Sequence, residues 1–150
     1  MRVTCVTIDC KDRERMVAFW SAALGYEVRG QSCYPPDGIG PSLEFIVVPE
    51  DKTVKNRVHL GFNTPDLDAE IERLVGLGAT IAWEEDFPDE FRYRNVVLRD
   101  PEGNEFCLGT STQTHVQAIA GDAIEAIDSG DTARLEQARR QLDVLRRWPG

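Results

Sequence analysis

Cysteine is scarce in this chain. There are four, Cys5, Cys10, Cys33 and Cys107, and no two stand in a CxxC pair. That argues against a disulfide framework and fits reduced thiols in a cytoplasm. No apolar stretch approaches the roughly 20 residues that a membrane-spanning helix needs. Positive charge is also in short supply: 17 Lys and Arg face 26 Asp and Glu, for a net charge of −9 and a pI near 4.7. Such a chain repels phosphate backbones and anionic lipid, which argues against nucleic acid and membrane as partners. The opening Met1-Arg2-Val3-Thr4-Cys5 lacks the apolar run and the small-residue cleavage site of a signal peptide. What is present is ordinary for a globular chain of 150 residues, with 41% hydrophobic residues, enough for one core.

Alternation and helical spacing divide the chain. Val3 to Asp9 reads as a strand with Val6 and Ile8 inward and Cys5, Thr7 and Asp9 on the other face. Asp12 caps a helix whose stripe is Met16, Phe19, Trp20, Ala23 and Leu24, and Gly25 ends it. Tyr26 to Ser32 reads as a strand. Leu43 to Val48 is another, with Leu43, Phe45 and Val47 opposite Glu44, Ile46 and Val48. Pro49 to Asn56 is polar and reads as a linker between halves.

The pattern then restarts. Arg57 to Asn63 places Val58, Leu60 and Phe62 inward and His59 and Gly61 outward. Asp66 opens a helix with the stripe Leu67, Ile71, Leu74 and Val75, closed by Gly78. Ala79 to Trp83 is a strand, followed by an acidic loop from Glu84 to Glu90. Tyr93 to Leu98 and Glu105 to Leu108 form a hairpin across the turn Asp100-Pro101-Glu102-Gly103, with Phe106 and Leu108 inward and Glu105 and Cys107 on the other face. The Asp-to-Gly spacing of the two helices is nearly equal, so the halves form an internal repeat, strand–helix–strands in each.

After Gly109 the spacing becomes helical. Val116, Ile119, Ala120, Ala123, Ile124 and Ile127 precede a break at Ser129-Gly130-Asp131. Leu135, Ala138, Leu142 and Leu145 follow it. This helical hairpin packs on the repeat or on a second chain, the latter making a homodimer. Trp148 reads as a local anchor.

Taken in order, these segments resemble the glyoxalase/bleomycin-resistance/dioxygenase superfamily, also called vicinal oxygen chelate proteins. More narrowly they resemble its glyoxalase-like domain branch. The carrying residues are Asp12, Phe19-Trp20, Leu24-Gly25, Arg57-Val58-His59-Leu60, Asp66, Leu77-Gly78-Ala79 and Asp100-Pro101-Glu102-Gly103-Asn104-Glu105-Phe106. The resemblance covers Val3 to about Gly109. It implies an α+β fold: two βαβββ modules, at about 1–50 and 57–110, curl into an open eight-stranded half-barrel pocket, with the hairpin of 111–150 appended.

Metal-dependent members hold a divalent ion on four inward side chains, which by motif position fall on Cys5, Glu44, His59 and Cys107. The usual first His is replaced by Cys5 and the usual last Glu by Cys107. Carboxylate and imidazole ligands suit Ni²⁺, Zn²⁺, Fe²⁺ or Mn²⁺, whereas two thiolates, an imidazole and a carboxylate form a soft set that favours Zn²⁺. Metal-free binding members of the superfamily are the other precedent.

Each candidate therefore has two readings. His59 is a metal ligand or general base, or a pocket-lining imidazole. Cys5 and Cys107 are ligands, or small buried hydrophobes. Glu44 is a base near His59, or an edge carboxylate in solvent; Glu105 replaces Cys107 only if the register slips by one. Cys5, Thr7, Glu44, His59, Trp83, Tyr93 and Cys107 would line the pocket. Trp83, Tyr93, Phe87 and Phe91 cap an aromatic ligand or pack under the loop, and the acidic run draws a cationic ligand or is merely solvated. The expected function is small-molecule binding. One form is a lyase or isomerase acting on an oxygen-bearing metabolite, with Glu44 or His59 moving a proton. The other is sequestration of a drug or metabolite without metal.

Overall fold

The computed structural model describes residues 1–85, 94–110 and 112–147. The first half runs β1 (Cys5–Cys10), α1 (Arg13–Leu24), β2 (Glu27–Arg29), β3 (Ser32–Tyr34) and β4 (Ser42–Val47). The second half repeats it as β5 (Leu60–Thr64), α2 (Leu67–Gly76), β6 (Thr80–Glu85), β7 (Asn95–Arg99) and β8 (Glu105–Thr110). Two open four-stranded sheets result, ordered β1-β4-β3-β2 and β5-β8-β7-β6. In each, the first strand pairs parallel to the last and the other pairings are antiparallel. The internal repeat is thus a repeat of topology, and both halves are complete βαβββ units.

The helices start and stop where local chemistry requires. The Asp12 carboxylate accepts from Arg15 N at 3.0 Å and that of Asp66 from Ala69 N at 3.1 Å, so each satisfies an orphan amide of a first turn. Gly25 closes α1 at φ 65°, a left-handed conformation that a β-carbon disfavours. Met16, Phe19 and Trp20 of α1 and Leu67, Ile71 and Leu74 of α2 share one core with Leu43, Phe45, Val96, Leu98, Phe106 and Leu108. Val6, Ile8, Leu60 and Phe62 pack against it. One face of each sheet is therefore committed to the helices. The opposite, inner faces are where a ligand can lie.

Several expected boundaries shift. The strand expected over Tyr26 to Ser32 is a two-strand hairpin, β2 and β3, because Gly30 turns the chain at φ 65°. The strand expected from Arg57 begins only at Leu60, the first residue paired with β8. Val58, expected inward, stands before it and is 78% exposed. Glu84 and Glu85 belong to β6 rather than to an acidic loop, since they pair with Val96 and Asn95. Val75 and Val47, expected inward, are exposed near the ends of their elements. The readings of Asp86 to Glu90, Phe91, Tyr93 and Trp148 lie outside the described residues, as does that of the Leu145 side chain.

The tail is α3 (Thr112–Ser129) and α4 (Thr132–Arg147), packed chiefly on each other. Asp131 caps α4 by accepting from Ala133 N and Arg134 N. Ile119, Ala126 and Ala138 are buried, whereas Ile124, Ile127, Leu135 and Leu142 are exposed. Among the described residues no helix is long and apolar enough to cross a membrane.

Candidate functional site

Cross-strand register shows what each inner face carries. On the first sheet, Thr7 pairs with Glu44 and Glu44 with Ser32, which pairs with Arg29, a polar row across all four strands. Cys5, two residues before Thr7, shares that face. Thr7 and Asp9 are exposed and Glu44 is half-buried, so this face is open.

The second sheet is different. Its inner row is Gly61 on β5, Cys107 on β8, Val97 on β7 and Trp83 on β6. Trp83 reaches the row through a β-bulge between Ile81 and Trp83. Simple alternation from Thr80, opposite Arg99, would have sent Trp83 to the other face. The extra residue re-aims it, and Glu85 with it. The next row pairs Glu85 with Asn95, whose Nδ2 donates to Glu85 Oε2 at 2.8 Å. Gly61 leaves open space above its Cα: an added β-carbon would meet nothing within 4 Å.

The segment read as a linker folds over this face. Asn56 N donates to Glu105 Oε2 at 3.0 Å, and Lys52 Nζ lies 3.1 Å from the same oxygen. Burial pulls the Glu105 carboxyl upward, but these partners outweigh it and hold its pKa at about 2. Lys55 Nζ stands 5.0 Å over the Trp83 ring and 3.0 Å from His59 Nε2, and His59 Nδ1 is 3.6 Å from Cys107 Sγ. An ammonium can only donate, so Nε2 must accept from Lys55. The neutral imidazole then carries its proton on Nδ1, directed at the sulfur. Burial pushes the Cys107 thiol up, partly offset by Asn95 and Lys55, so the sulfur is held as a thiol.

His59, Cys107 and Trp83 therefore meet on one surface. Glu44, Thr7 and Cys5 lie on the first sheet. Tyr93 is outside the described residues. Among the described residues, no three His, Cys, Asp or Glu side chains converge as ligands of one ion. The donors present do not fit a divalent metal as arranged: one imidazole nitrogen faces an ammonium and the other a protonated sulfur.

Sequence reasoning missed Lys52, Lys55 and Asn56, which it passed over as linker, and Arg99. With Thr53, Val54, Trp83, Glu102, Gly103 and Glu105, all but Asn56 surround a hollow of about 400 Å³. The available signal was a pair of lysines three apart in a strongly acidic chain. A second hollow, about 550 Å³, lies by the start of α1 and the β2–β3 turn among Lys11, Asp12, Arg13, Glu14 and Gln31, away from His59 and Cys107.

No curated protein matches the chain. Solved structures do. A glyoxalase/bleomycin resistance protein/dioxygenase family enzyme from Burkholderia phytofirmans PsJN superposes with a TM-score of 0.59 at 18% identity, covering 73% of this chain and 98% of that one. The fosfomycin resistance protein FosX from Listeria monocytogenes, complexed with Mn(II) and 1S,2S-dihydroxypropylphosphonic acid, gives 0.59 at 16% identity, covering 77% and 95%. A superfamily member from Sphaerobacter thermophilus gives 0.56 at 22%, covering 74% and 98%. These likenesses establish the shared open-sheet fold. The family model described as "Glyoxalase-like domain" matches residues 5–109, most of the chain and both βαβββ units, and by that match this chain belongs to the glyoxalase-like domain family.

Proposed function

We propose that this protein binds a small molecule on the inner face of its second sheet, and that binding needs no divalent metal. The observation that carries this is the row Gly61, Cys107, Val97 and Trp83, open above Gly61 and roofed by Lys55 against the indole. Gly61 leaves room, Trp83 offers a flat apolar face, and Lys55 and His59 supply polar atoms to orient a ligand. We take residues 1–110 as the binding unit and the helical hairpin as its appendage. The binding reading fits a sequestering protein better than a lyase or isomerase. A proton-moving base needs a free lone pair facing the ligand; His59 Nε2 already accepts from Lys55, and Glu44 lies on the first sheet rather than on this row.

The test uses protein stripped with EDTA and titrated with flat aromatic probes, anionic, neutral and cationic. Binding is read from Trp83, with Trp83→Phe as the control. Saturable binding that is unchanged by EDTA is expected. If binding appears only after Zn²⁺, Mn²⁺ or Ni²⁺ is restored, the metal-assisted reading replaces this one, with Cys5 and Glu44 recruited to His59 and Cys107.

A further inference from the structure

We infer that the ligand carries a small oxyanion head, a carboxylate or a phosphonate or phosphate group, held in the hollow of about 400 Å³ that adjoins the binding row at Trp83. The inference rests on the binding reading above and names its ligand class. The whole chain has a net charge of −9, yet the hollow inverts that sign. Three cations line it: Lys52, Lys55 and Arg99. Its two carboxylates are already engaged. Glu105 is matched by Lys52 and the Asn56 amide. Glu102 points away, accepting from Lys11 N and Asp12 N at the start of α1.

Three cations against two carboxylates leave the lining with a formal charge of +1, and two of the cations are unpaired or only loosely paired. Lys55 has no carboxylate partner among the described residues; its neighbours are an imidazole and an indole. The nearest carboxylate to Arg99 is Glu105, 3.9 Å from Nε, so the outer fork of the guanidinium is unpaired among the described residues. A fork and a point charge lining the same small hollow are the kind of pair that grips a planar or tetrahedral oxyanion. Trp83 beside them takes a flat apolar body. Glu84 and Glu85 are not among the residues that line this hollow, although the Glu85 charge is felt at Cys107.

The experiment follows the Trp83 indole N–H signal by ¹H–¹⁵N NMR, assigned through Trp83→Phe. Four probes are titrated: benzoate, phenylphosphonate, benzamide and benzylammonium. Both anions are expected to bind, and the stronger one shows which head the site prefers. Benzamide and benzylammonium should bind at least tenfold more weakly, as for loss of a charge-assisted contact. Lys55→Gln and Arg99→Gln should each weaken the anions roughly tenfold. The double variant should lose them while keeping its melting curve, and Arg29→Gln on the first sheet should change nothing. If benzamide matches benzoate, or the double variant binds like the parent, the anion inference is wrong while small-molecule binding stands. If none of the four probes moves Trp83, both fall.

Discussion

The indole N–H of Trp20, on the first module's helix, donates to Asp100 Oδ2, in the turn between the second module's last two strands, at 3.2 Å. The same carboxylate accepts from Glu102 N, Asn104 N and Asn104 Nδ2, so Asp100 shapes its turn with one set of lone pairs and grips α1 with another. Glu102 then accepts from Lys11 N and Asp12 N. The rings of Trp20 and Phe106 meet edge to face at 5.2 Å. The turn after β7 is thus a clasp between the two modules. It holds the second sheet's core face against α1, and the same turn lends Glu102 and Gly103 to the rim of the hollow by Trp83.

Trp20→Phe keeps an aromatic ring but leaves a buried carboxylate short of one donor and opens a small void. A loss of roughly 2–4 kcal/mol is expected from urea unfolding. Glu102→Ala removes an acceptor from the exposed start of α1 and should cost less, about 1 kcal/mol. If the two losses came out equal, the Trp20–Asp100 bond would not be the stronger part of the clasp.

Glu105 sets an acid-side limit on stability. Its carboxyl falls from 4.5 to about 2 in the folded protein, so between those values the unfolded chain binds more protons than the native one. Its contribution is complete above about pH 4.5 and lost as pH falls towards 2. Glu105→Gln cannot titrate. The parent should therefore be more stable than this variant at neutral pH, and the gap should close on acidification. Urea midpoints across that range decide the matter, and a constant gap would refute the assignment.

How much of this was legible beforehand depended on whether the determinant was local. Asp12, Asp66 and Gly25 act through their own turns, and their residue types declare them. The alternation of Phe106 and Leu108 against Cys107 sorted the faces of β8 correctly because nothing interrupts that strand. The bulge ahead of Trp83 carries no glycine or proline to announce it. Lys55 reads as a solvated linker residue until the chain folds and brings it over Trp83. Val58 fits the alternation of β5, but that strand starts only where β8 offers a partner, at Leu60. The metal quartet implied by the resemblance spans two sheets, and of its four residues only His59 and Cys107 are brought into contact.

The proton on His59 can be located directly. With Lys55 donating to Nε2, the imidazole should carry its hydrogen on Nδ1 in mildly alkaline buffer, visible in long-range ¹H–¹⁵N correlations. Lys55→Met removes the donor, and the Nε2–H form should then gain population. An unchanged tautomer in Lys55→Met would mean that Cys107 alone orients the ring.

Gly61 tests whether the ligand lies over the Trp83–Cys107 row. A β-carbon there meets nothing within 4 Å, and the backbone is not in the left-handed region, so Gly61→Ala should fold as well as the parent or gain about 0.4–1 kcal/mol through the unfolded chain. Gly61→Leu sends a branched side chain into the space beside Cys107, its pairing partner. It should fold, because that space is open, yet bind the aromatic anions at least tenfold more weakly, the cost of losing one well-packed contact. Thermal melts and the Trp83 titration separate the two effects. A Gly61→Leu protein that melts like the alanine variant and still binds like the parent would put the ligand elsewhere on the sheet.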